Sequence, residues 1–117
     1  WLIEVKDYRA HRRTKAIELG DEVAFKVRDT LAGLSAAQCY ANDQGEQQLA
    51  REALRVKRFH VVLHLEQPSK TSRLFPRAVD PAHLITKLKQ ALRAVDAHPK
   101  IVNQHTLPVN MGWTVTG

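Results

Sequence analysis

Glu4 and Lys6 stand two residues apart in the apolar stretch Leu2-Ile3-Glu4-Val5-Lys6. On a strand this spacing projects both side chains from one face, about 7 Å apart along it. A carboxylate in such a place suits a hard divalent cation such as Mg²⁺, which takes carboxylate oxygens and keeps several waters. The neighbouring ammonium can orient or help deprotonate a water and offset charge that develops on a phosphate. Burying a carboxylate and an ammonium together is costly, because desolvation can exceed their attraction. The bland alternative is an ion pair on an edge strand with no catalytic role.

Arg9, Arg12, Arg13 and Lys15 follow at once. They fall where this strand leads into a helix, a place suited to phosphate contact through free N–H groups and the helix dipole. Cations are unfavourable at a helix start, so their presence there leans towards phosphate binding over simple solvation. His60, His64 and Glu66 share one face of another strand. His60 and His64 are about 13 Å apart along it, too far to chelate one ion. The six histidines show no zinc-like spacing, and Cys39 is the single cysteine. Gly20, Gly33 and Gly45 are isolated and form no phosphate loop.

The elements that must position these residues follow from periodicity. Residues 1–8 alternate as a strand, with Trp1, Ile3 and Val5 on one face and Leu2, Glu4 and Lys6 on the other. From about Thr14 to Tyr40 the spacing turns helical, with Ile17, Gly20, Ala24, Val27, Leu31 and Leu34 in one stripe. Thr14 is the expected N-cap. Asn42–Gly45 reads as a turn, and Glu46–Val56 as a shorter helix with Leu49, Ala50, Ala53 and Leu54 inward. Residues 58–66 form the clearest strand. Asp80-Pro81 caps a third helix that is expected to run to about Ala97. Residues 100–107 supply a last strand, with weak strand character again at Trp113-Thr114-Val115. Strands alternating with helices predict an α/β layer with parallel crossovers. Glu4 and Lys6 do not suit a strand covered by apolar packing on both sides, so something else is expected to cover them, or they face a cleft.

The strand bearing Glu4-x-Lys6, followed by an Arg-rich turn, a helix and a further strand, resembles the second half of the PD-(D/E)XK nuclease motif. The likeness covers residues 1–66, about half of that family's αβββαβ core. It implies that Glu4 ligates Mg²⁺ or Mn²⁺, that Lys6 positions the attacking water, and that DNA phosphodiesters are hydrolysed. It also implies that the family's metal-binding Asp lies upstream of Trp1. The one methionine is Met111, which fits an expectation that N-terminal elements are missing.

Composition bounds these readings. The chain has 117 residues, 44% of them apolar, with five Gly and five Pro and a net charge of +6. That suits a single domain over 1–117 and argues against disorder. Residues 51–93 hold ten basic side chains against three acids, which makes a polyanionic partner plausible. No apolar run approaches membrane-spanning length, and the lone cysteine suits a reducing, cytoplasmic setting. The expectation is therefore an α/β domain: a mixed sheet flanked by helices, with a restriction-endonuclease-like core. Its expected activity is Mg²⁺- or Mn²⁺-dependent DNA hydrolysis, with Glu4 and Lys6 as catalytic groups and Arg9, Arg12, Arg13 and Lys15 on phosphates. The rivals are a non-catalytic nucleic-acid-binding module on the same fold and an α/β partner-binding domain. A homodimer is compatible with either.

Overall fold

The computed structural model describes residues 1–10, 13–68 and 79–113. Chain order is β1 (Leu2–Asp7), α1 (Leu19–Tyr40), α2 (Gln44–Leu54), β2 (Val61–Glu66), α3 (Pro81–Ala91) and β3 (Lys100–Val102), followed by a 3₁₀ turn at Val109–Met111. The described strands form one sheet in the order β1-β2-β3, and both pairings are parallel. The α/β class expected from the alternating pattern is what the chain adopts.

β2 is the axis of the molecule, because all six of its residues are buried. Val61, Leu63 and Leu65 face Leu19, Val23, Ala24 and Val27 of α1 and Leu84 and Leu88 of α3, with Leu92 beyond that helix. Val62 faces the other way, against Val102 and Met111. A strand covered on both faces reads as a continuous apolar run, and Val61-Val62-Leu63 does so.

α1 and α3 pack on each other over the same face of the sheet. At Gly20 of α1 a Cβ would lie 3.0 Å from Lys87 Cγ and 3.4 Å from Leu84 Cδ1 of α3. A side chain there would require Lys87 to shift by a few tenths of an ångström.

Several boundaries differ from the sequence expectation, each for a local reason. α1 starts at Leu19, with Glu18 rather than Thr14 at the N-cap. Arg13 and Lys15 are tied to Glu22, which holds the lead-in outside the helix. Asp21 and Glu22 then occupy the first turn, where carboxylates complement the dipole. α2 begins at Gln44 because the Asp43 side chain accepts the Gly45 N–H; Leu49, expected inward, is exposed. α3 has the expected cap, with Asp80 accepting from Ala82 N. It ends at Ala91 rather than about Ala97, since the chain turns at Leu92. β3 stops at Val102 because Asn103 Oδ1 accepts the N–H groups of His105 and Thr106 and bends the chain. Thr114 and Val115 lie outside the described residues, as do Lys70, Arg73 and Arg77 of the basic stretch.

Candidate functional site

β1 sits at the sheet edge, and its alternation decides what Glu4 and Lys6 meet. The register places Glu4 beside Leu63 and Lys6 beside Leu65, so both side chains lie on the helix-covered face. What covers them there is α1. Glu22, one turn into that helix, is buried, with its side chain 8% exposed. It accepts hydrogen bonds from Lys6 Nζ (3.1 Å), Lys15 Nζ (2.6 Å) and Arg13 Nη1 (2.5 Å). Glu4 lies 3.3 Å from Lys6 Nζ and accepts from Lys26 Nζ at 2.7 Å. Two carboxylates thus share four cations, Lys6, Arg13, Lys15 and Lys26.

The electrostatics follow. Hydrogen bonds from Lys15, and then from Arg13 and Lys6, overcome burial and hold the Glu22 carboxyl at about 2 against an ordinary 4.5. Burial pushes Glu4 up, but Lys26 and Lys6 outweigh it and keep it below its usual value. Burial pulls Lys6 down, yet Glu22 and Glu4 raise it above the ordinary lysine value. All three groups are therefore held charged at neutral pH, and Lys6 is held as an ammonium, with no proton-accepting lone pair.

Arg13 also donates to Tyr8 Oη (3.1 Å) and to the Ile17 carbonyl (2.6 Å), so its guanidinium braces the lead-in to α1. Arg9 is exposed, but it holds Asp7 in a two-point contact of 3.0 and 2.7 Å. Arg12 lies outside the described residues. The cations that reach solvent from the network are Lys15, 58% exposed, and Lys26, 47% exposed. Lys15 also lines a groove of about 360 Å³ with Arg13, His83 and Lys87. Sequence reasoning missed Glu22 and Lys26. Glu22 and Lys26 stand one turn apart on α1 but off its apolar stripe of Ala24, Val27 and Leu31, so helical periodicity carried no sign of them.

The donor set does not suit a divalent cation at Glu4. A metal there would have to displace the Lys26 and Lys6 ammonium groups. Among the described residues no three His, Cys, Asp or Glu side chains converge as a metal-holding group. His64 and Glu66 lie on the opposite face, beside Val5 and Asp7. They pair at 3.1 Å, and Glu66 also accepts from Gln104 N at 2.6 Å. Both are buried and read as a satisfied structural pair. A larger cleft of about 950 Å³ opens at the carboxyl ends of the strands, past Glu66, and neither Glu4 nor Lys6 lines it.

The chain is similar to a cysteine–tRNA ligase of Neisseria meningitidis, with 39% identity over 93 residues. The match takes in 73% of this chain and 13% of the ligase, so the chain spans a small fraction of the length of the curated relative it matches. No family model matches, and no solved structure matches. The relation to a tRNA ligase overturns the expectation of a DNA-hydrolysing nuclease. Lys6 Nζ donates to Glu22 and lies beside Glu4. Among the described residues, no helix is long and apolar enough to cross a membrane.

Proposed function

We propose that this chain is a non-catalytic nucleic-acid-binding module whose ligand is RNA of the tRNA class, carried within a tRNA-ligase-type protein. The observation that carries the reading is the site itself. Glu4 and Glu22 are outnumbered by four cations, and Lys15 and Lys26 present the surplus to solvent. Fixed ammonium groups with neutralised carboxylates behind them suit phosphate oxygens, because each contact releases a condensed counterion. The similarity to a cysteine–tRNA ligase supports tRNA over DNA as the ligand. The net charge of +6 supports long-range attraction of a polyanion.

On this reading Lys15 and Lys26 touch phosphates. Lys6, Glu4, Glu22 and Arg13 act behind them as positioning residues that fix the ammonium groups. The resemblance to the PD-(D/E)XK strand then concerns fold alone, with Glu4-x-Lys6 serving charge placement. The test is competition for the 117-residue chain between labelled tRNA and duplex DNA at matched phosphate concentration. Retention of tRNA against DNA is the expected result. Displacement of tRNA by DNA, or no binding of either at low salt, would overturn the proposal.

A further inference from the structure

The cleft of about 950 Å³ at the carboxyl ends of the strands has a lining chemistry separate from the cation network. Among the described residues that line it, Glu66 is the one acid and Arg9 the one arginine or lysine. Glu66 is held deep, its side chain 7% exposed. Its contact with His64 Nε2 (3.1 Å) and the bond it accepts from Gln104 N (2.6 Å) both fall on Oε1. Among the described residues Oε2 has no partner, and no sealed side-chain oxygen lacks one, so Oε2 opens to the cleft. Arg9 bonds Asp7 through Nε and Nη2, which leaves Nη1 free among the described residues. Leu65, Pro81, Ile85 and Ile101 supply apolar wall. The loop after β3 is tied in place, with Asn103 Oδ1 accepting the His105 and Thr106 N–H groups and Thr106 Oγ1 accepting Asn103 N. The site is therefore built before any ligand arrives, which lowers the ordering cost of binding.

We propose that this cleft takes an unpaired nucleotide whose base carries an exocyclic amino group, cytosine or adenine. The amino group donates to Glu66 Oε2, and the phosphate meets Arg9. The inference rests on the RNA reading above and names the part of the RNA that enters the fold. The volume falls in the range of about 300–1,000 Å³ usual for small-molecule sites, ample for one nucleotide. A deep carboxylate repels phosphate, so the base enters and the phosphate stays with the exposed Arg9. One free oxygen accepts one N–H, as Glu does from cytosine N4 in base readout. Uracil would turn a carbonyl oxygen towards Glu66 where cytosine has the amino group. Guanine sets two donor groups side by side, more than Oε2 alone satisfies. A stacked, paired base cannot reach a carboxylate this deep, whereas bases of single-stranded RNA are splayed out and read on their edges. The base adds a choice at one position to phosphate contacts that are indifferent to sequence.

Amide chemical-shift titration of the isotope-labelled 117-residue chain with CMP and with UMP tests the proposal. The two nucleotides differ at the amino position. Shifts are expected at Gln104, whose N–H bonds Glu66, and at Ile85 and Ile101. CMP should bind about tenfold more tightly than UMP, the scale of one buried acceptor satisfied or left unpaired. Glu66→Gln keeps a carbonyl oxygen for Gln104 N and turns an amide N–H₂ towards the cleft, so the preference should reverse to UMP. Arg9→Ala, at an exposed position, should weaken CMP to the level of cytidine and leave cytidine unchanged. Equal binding of CMP and UMP, no shift at millimolar nucleotide, or shifts away from the cleft would each overturn the proposal. So would a folded Glu66→Gln protein that still prefers CMP. The RNA reading is separable: tRNA bound with no nucleotide in the cleft overturns this inference alone. CMP in the cleft with no tRNA bound supports the nucleotide site and overturns the RNA reading.

Discussion

Glu22 is the residue on which the cation network turns. Its carboxylate is buried and satisfied by Lys6, Arg13 and Lys15. Removing its charge leaves Lys6 and Arg13 partly buried without their main counter-ion. Glu22→Gln should cost about 3 kcal/mol of folding stability, the low end for breaking a buried ion pair, measured by urea unfolding at neutral pH. The pH dependence has a fixed sign. The folded-state value of about 2 lies below the ordinary 4.5, so the stabilisation is complete above the ordinary value. It is lost as pH falls through the folded one. The stability gap between wild type and Glu22→Gln should therefore narrow steadily between those two values. Arg13→Ala should also destabilise, because it removes contacts to Glu22, Tyr8 and Ile17 together. A melting temperature unchanged by Arg13→Ala would contradict the bracing role.

At the scale of elements, β2 carries the core, and Leu63 is fully buried within it. Leu63→Ala should cost about 2–5 kcal/mol, as expected for a truncated core leucine, read as a drop in urea midpoint at constant slope. Asp80→Ala removes the N-cap of α3 and should cost about 1 kcal/mol, read as a lower melting temperature. The same elements show what a single sequence can and cannot disclose. β2 and the Asp80-Pro81 start of α3 were legible because burial and capping leave local marks. The starts of α1 and β3's end were not, since they depend on contacts at a distance. Thr14 has cap chemistry, yet the helix begins five residues later because Lys15 and Arg13 reach forward to Glu22. The pairing of Glu4 with Lys6 was legible from alternation on one strand. Their bonding to Glu22 and Lys26 on another element was not, because those partners come from a helix, 16 and 22 residues away in the chain.

At the scale of the whole molecule, the chain measures 50 × 31 × 26 Å, with a radius of gyration of 16.1 Å. A compact domain of this length would have a radius of gyration of about 13 Å, so the shape is elongated. α1 has 22 residues and is about 33 Å long at the usual rise. It pairs with α2, and Tyr40 at its end and Leu49 on α2 are exposed. The charge surplus lies mainly in residues 51–93, and Lys15 and Lys26 add exposed cations tied to Glu22 and Glu4. Phosphate contacts made by point charges carry no sequence information, so affinity should respond to salt far more than to RNA sequence. The most direct test of the account is tRNA affinity against salt for wild type, Lys15→Ala and Lys26→Ala, followed by fluorescence anisotropy. The account predicts a linear fall of log affinity with log salt, its slope smaller by about one in each variant. No binding at low salt, or a slope that neither substitution changes, would contradict it.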